Sequence, residues 1–278
     1  MADPPLTQDE DEAADASGMR AFVAELWHYR ELFYFFAWRD IKIRYRQTLL
    51  GILWAVIQPV LTMVVFTILF GRFARMPSDG VPHPVFYFSA LLPWIFFSAT
   101  LTSASTSLIR NADLLTKIYF PRVILPVSAT LAGLLDFAIG SAVLVGIMLF
   151  YGILPRWHVA LWPLLALPLL VLTLGVGMFL AALNVRYRDV RYAMPFLIQL
   201  WLFVTPVIYP ASLVPAPYRR VLALNPLTGL IEAFRYAIVP DRAMDWSVLV
   251  VSGTATLAIF ALALAYFRKT EKVFADII

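Results

Sequence analysis

Asp136 is the one acidic side chain within the long apolar runs of this 278-residue sequence. An ionised carboxylate in hydrocarbon is costly, so it must meet a polar partner or a water-filled space. Two readings follow. Asp136 faces a path and hydrogen-bonds a polar substrate, or it makes a buried structural hydrogen bond, for example to a neighbouring Ser or Thr. A proton relay needs a chain of such groups, and one acid argues against it. The histidines, His28, His83 and His158, are far apart, so no metal site is expected from them. Cysteine is absent, which excludes disulfides, thiolate metal sites and a Cys nucleophile. There is no GxxxxGK[ST] or HExxH motif and no arrangement that points to a Ser/His/Asp triad. No catalytic residue is proposed.

The second chemistry-bearing group is the run Arg39, Lys42, Arg44 and Arg46. It follows Phe22, Leu26, Tyr29, Phe33 and Phe36, which recur at steps of three and four and share one helical face. Basic residues on such a helix suit anionic headgroups or an acidic partner. The helix is a membrane-surface anchor or is shared with a partner subunit. Two more basic segments are compact, Asn111–Lys117 with Arg122, and Asn184–Arg191. They serve membrane orientation or dock a soluble motor. Aromatic residues make up 15% of the chain, enough for an interfacial belt plus ordinary packing. The other reading is a lining of flat rings on which sugars slide.

These groups need elements to hold them. The chain is 61% hydrophobic and 14% charged, against about half and a quarter for a soluble domain. It therefore reads as a polytopic membrane protein. A spanning helix needs about 20 apolar residues. Six candidates emerge: Gly51–Phe70, Val85–Leu108, Val123–Tyr151, Trp162–Leu183, Ala193–Tyr209 and Trp246–Phe267. None contains Lys or Arg. The fifth is short and contains Pro195 and Pro206. Between the fifth and sixth, Leu224–Val239 is too short to cross comfortably and carries Glu232 and Arg235, so it reads as re-entrant. With the N-terminus inside, the 22 basic residues favour the inner segments about two to one. Both termini are therefore expected in the cytoplasm. The expected organisation is a disordered acidic tail over 1–19, an amphipathic cytoplasmic interface helix over 20–48, and a six-helix transmembrane domain with a cytoplasmic C-terminal tail over 49–278. Nucleic acid is not an expected partner, because the basic residues sit beside apolar spans.

Four segments then carry a family resemblance, in order: WRDIKIRYRQTLLGILWAVIQP (Trp38–Pro59), NADLLTKIYFPR (Asn111–Arg122), LNVRYRDVRY (Leu183–Tyr192) and the C-terminal YFRKTEKVFADII. NPLTGLIEAFRYAI, Asn225–Ile238, fits the same pattern. The chain resembles the membrane subunit of type-2 ABC exporters, and among them the bacterial exporters of O-antigen, capsule or teichoic acid. The resemblance implies an all-α homodimer of six-span subunits in the bacterial inner membrane, with short re-entrant helices before the last span. It implies two copies of a separate ATP-binding subunit that hold ATP and Mg, no cofactor on this chain, and an undecaprenyl-linked polysaccharide as substrate. It suggests coupling to the motor through Arg39, Asp40, Lys42, Arg44, Asn111, Lys117, Arg186, Arg188 and Asp189. The expected channel residues are Trp94, Phe97, Asp136, Trp201 and Tyr209. The alternatives are a type-2 exporter of a drug or lipid and, more remotely, a membrane-embedded glycolipid enzyme.

Overall fold

The computed structural model describes residues 27–46, 51–118, 120–155, 157–238, 244–271 and 274. The expected acidic tail and the start of the expected interface helix, including Phe22 and Leu26, lie outside the described residues. Among the described residues the chain is helical, with no strand. Helix α1 is Arg30–Tyr45. The long helices are α2 (Gly51–Phe73), α3 (His83–Ser105), α5 (Ile124–Phe150), α6 (Trp157–Arg186) and α10 (Trp246–Glu271), with the short α4 (Ala112–Lys117) before α5. Helix α7 is Val190–Val204, and α8 (Ala216–Ala223) and α9 (Pro226–Ile238) precede α10.

Among the described residues, five helices are long and apolar enough to cross a bilayer. Their bounds follow the sequence expectation closely, because uninterrupted apolar runs leave the backbone no partner but itself. The departure is at the expected fifth span. Helix α7 has 15 residues, about 22 Å at 1.5 Å per residue, against a hydrocarbon thickness of about 30 Å. It stops where Thr205 adopts an extended conformation (φ −94°, ψ 137°). That is what a following proline imposes, here Pro206. The chain then continues through a buried turn, Thr205–Ile208, before α8.

Helix α3 is the hub. Of its most apolar window 78% is buried inside the protein, against 11% for α2, which lies at the edge. Close contact with α5 depends on small residues. A Cβ on Gly133 would lie 2.3 Å from Thr100 Oγ1, so only glycine lets the two helices approach this closely. Entry into α2 also depends on a glycine, since Gly51 takes φ +52°.

Helix α9 is almost wholly buried, Arg235 included. The Arg235 guanidinium lies over Phe86, pairs with Glu232 at 3.0 Å, and donates to the carbonyls of Val207 (2.8 Å) and Tyr209 (3.4 Å). A residue that reads in the sequence as an outer-loop charge is thus part of the core. It satisfies carbonyls that the early end of α7 leaves outside a helix.

Candidate functional site

Helix α1 has two polar-aromatic stripes, and they face different ways. Phe33 and Phe36 turn toward α5. Phe36 is buried with its ring 5.7 Å from Phe120, and the Ser128 hydroxyl reaches the Phe33 carbonyl at 3.4 Å. Eight residues beyond Phe36 on the same face, Arg44 donates to Asp136 Oδ2 on α5. Tyr34, Trp38 and Lys42 step by four along the outer face. The Tyr34 and Trp38 rings stack, and the Lys42 ammonium lies 5.5 Å from the Trp38 ring. The basic run is therefore divided. Lys42 and the aromatics above it face outward, suited to a headgroup layer, while Arg44 faces the bundle.

Two clefts meet at this ion pair. One, about 540 Å³, is bordered by Arg39, Asp40, Arg44, Ser103, Arg110 and Asn111. The other, about 490 Å³, lies between α2, α3, α5 and α7. Its polar wall is Arg44, Gln58, Ser98, Thr100, Thr102 and Asp136. The hydroxyls of Ser98 and Thr102 bond back to the carbonyls of Ile95 and Ser98. Their outer surface still offers acceptor capacity.

This arrangement is found in a chain whose residues 31–239 match the family model described as ABC-2 type transporter. The chain belongs to the ABC-2 type transporter family. The relatives of this ABC-2 chain include an O-antigen export system permease protein, RfbA, of Myxococcus xanthus, 34% identical over 261 residues, covering 93% of this chain and 99% of that protein. An RfbA of Klebsiella pneumoniae is 27% identical over 86% of this chain and 92% of its own length. The polysialic acid transport protein KpsM of Escherichia coli is 24% identical over 84% of this chain and 91% of its own length.

In this ABC-2 type transporter the residues singled out from sequence fall into three groups. Asp136 does border a cleft, yet its partner is an arginine from α1 and not a Ser or Thr. Arg44, expected among the motor contacts, is the other half of that pair. Arg39 pairs with its neighbour Asp40 at 3.0 Å and lies over the Phe36 ring. Lys42, Lys117, Arg186, Arg188 and Asp189 are exposed, and Asn111 is half-buried with its amide donating to the Ser107 carbonyl at 2.7 Å.

Lys117, Arg186, Arg188 and Asp189 lie at or just beyond helix ends that come together at one end of the bundle. Asn184 bridges α6 to the Ser105 carbonyl at the end of α3 (3.0 Å), and the Arg122 amide before α5 reaches Glu271 at the end of α10 (2.7 Å).

Trp94, Phe97, Trp201 and Tyr209, the aromatics expected in a channel, take part in helix packing within the chain. Trp94 and Phe97 are buried inside the protein and do not border either cleft. Phe97 meets Trp201 edge-on at 5.0 Å. The Trp201 indole donates to Asn225 Oδ1 (3.0 Å), and the Asn225 amide donates to Thr205 Oγ1 (2.9 Å). The Tyr209 hydroxyl donates to the Phe203 carbonyl at 3.3 Å. These rings lock α7 and α9 to α3. On helix α3 the cleft is bordered by Phe96 among other apolar residues and by the hydroxyl residues Ser98 and Thr102, which carry no role in the sequence analysis. The signal was their spacing by four on one face of an otherwise apolar helix. Among the described residues no group of His, Asp and Glu is placed to hold a metal.

Proposed function

We propose that this chain is the non-catalytic permease subunit of an ATP-driven exporter of lipid-linked polysaccharide in the bacterial inner membrane. The observation that carries the reading is the end-to-end match to a protein named an O-antigen export permease, with 99% of that protein covered. The cleft among α2, α3, α5 and α7 supports it: within a largely apolar lining it offers Arg44, Gln58, Ser98, Thr102 and Asp136, and a hydroxyl-rich chain needs such hydrogen-bonding groups at membrane depth.

In this reading ATP and Mg reside on two copies of a separate ATP-binding subunit. Those subunits dock on Lys42 and at the bundle end that presents Lys117, Arg186, Arg188 and Asp189, with both termini in the cytoplasm. Two copies of this chain associate along α2 and α7. Both helices expose apolar side chains, among them Leu61, Val65, Phe196 and Leu200, and the path runs between the copies. Helix α7 with the buried turn after it makes the sixth crossing, and α8 and α9 re-enter the bilayer from the outer side. The substrate is a glycan on an undecaprenyl-type anchor, as O-antigen, capsule or teichoic acid.

Deletion of the gene tests the reading. Loss of surface polysaccharide with build-up of lipid-linked glycan inside the cell is expected, restored by the gene in trans. Normal surface polysaccharide in the deletion strain rules the export reading out. Co-purification with an ATP-binding subunit, with ATPase activity confined to that subunit, tests the division of labour.

A further inference from the structure

Among the described residues Arg44 alone borders both clefts. Its guanidinium makes one hydrogen bond there, to Asp136 Oδ2, and Asp136 Oδ1 is buried with no hydrogen-bond partner. The pair is therefore incompletely satisfied on both sides. It spans from α1, the helix outside the bundle, to α5 inside it. On the α1 side, Arg39 and Arg110 bring further cationic groups to the same cleft, against the single acid Asp40 among its described residues. On the other side the lining is largely apolar, and beyond the ion pair its polar groups are the neutral Gln58, Ser98, Thr100 and Thr102.

We propose that the Arg44–Asp136 pair is a charge latch between the two clefts, opened when a phosphate joining the substrate's lipid anchor to its glycan takes the place of Asp136 on Arg44. This rests on the export reading above. The physical reason is the asymmetry of ion-pair energetics. Stripping a partner from a partly buried charge is expensive, but exchanging one anion for another is not. A guanidinium is also the side chain best matched to phosphate, with a planar fork of five N–H donors of which Asp136 occupies one. A neutral lipid, or a glycan lacking phosphate, offers no anion to exchange and leaves the latch closed. Once released, Asp136 faces Gln58, Ser98 and Thr102 in the second cleft, where sugar hydroxyls can donate to it.

The test uses the full chain purified with its ATP-binding subunit in nanodiscs of phosphatidylcholine, with unglycosylated undecaprenyl diphosphate as the probe. Asp136→Asn removes the internal competitor and is expected to tighten probe binding about tenfold, while Arg44→Gln weakens it at least about tenfold. The double variant should match Arg44→Gln. Inorganic pyrophosphate should compete in the wild-type complex, and phosphatidylglycerol at equal concentration should not.

Equal affinities across the variants overturn the latch and leave a structural tether. Competition by phosphatidylglycerol overturns it in favour of a bulk-headgroup contact. Failure of pyrophosphate to compete shows that the prenyl chain alone binds, which overturns it too. If Asp136→Asn does not assemble, Asp136→Glu and Arg44→Lys take its place. The Asp136→Glu variant keeps the carboxylate and should bind the probe like wild type. The Arg44→Lys variant loses the fork and should bind it more weakly; equal binding by the two variants overturns the latch. The deletion strain decides the export reading separately. Surface glycan that depends on the gene, combined with probe binding indifferent to Arg44 and Asp136, defeats the latch alone.

Discussion

The Arg235 guanidinium on α9 lies 3.9 Å from the ring centre of Phe86 on α3, fully buried. A cation in that position is held because Nη1 donates to Glu232 and to the Tyr209 carbonyl, Nη2 donates to the Val207 carbonyl, and the charge is met by Glu232 and the ring face. Replacing it with Leu takes that donor away from Glu232 and from two carbonyls. The expected loss is about 3–5 kcal/mol. Thermal unfolding of the detergent-purified protein measures it. A variant as stable as wild type refutes the assignment of Arg235 as the tie between α9 and the turn after α7.

Gly133 on α5 lies directly against Thr100 on α3. Gly133→Ala puts a methyl against Thr100 Oγ1 and is expected to cost about 1–3 kcal/mol. Adding Thr100→Ala to Gly133→Ala should recover part of that loss, a coupling expected only for residues in contact. Strict additivity in the four-variant cycle means that the clash is absent.

Charge reversal at Arg186 and Arg188 alters exposed groups, with no burial to lose. Membrane insertion should therefore stay normal, while ATPase activity coupled to transport falls. Unchanged coupling removes the α6–α7 turn from the motor contact.

Asp245 caps α10. Its Oδ1 accepts from the Ser247 hydroxyl (2.6 Å) and from the amides of Ser247 (3.1 Å) and Val248 (3.3 Å). The Ser247 hydrogen bond is the main reason that its carboxyl lies below the ordinary Asp value. A depressed carboxylate contributes stability above its unfolded pKa, about 3.9, and loses it as pH falls through the lower folded value. Asp245→Ala should therefore lower the melting temperature between pH 5 and about 7, and the gap from wild type should close as the pH drops below about 3.9. A gap that persists undiminished in acid means that the carboxylate's charge plays no part in the cap.

The spans of this protein were legible because an apolar run of about 20 residues has one low-energy solution in a bilayer, a helix that bonds its own backbone. Composition and run length were enough to find α2, α3, α5, α6 and α10. Helix α1 was legible for a similar reason: Phe33 and Phe36 repeat at helical spacing. What the residue list does not carry is which charge meets which. Arg44 and Arg46 look alike in sequence, and Asp136 lies 92 positions from Arg44. Only the packing of α1 against α5 brings that carboxylate to Arg44.

The same holds for Arg235, a loop charge by position and a core residue by contact, and for Trp94 and Phe97, which point into the bundle. Hydropathy and spacing are local properties, so the sequence by itself determined that this chain is a helical membrane protein with a basic helix at one end. Ion-pair choice and the division of aromatics between core and cleft depend on how helices far apart in sequence rotate and approach. The tertiary structure decided those through close contacts such as Gly133 against Thr100, which set how near α5 lies to α3.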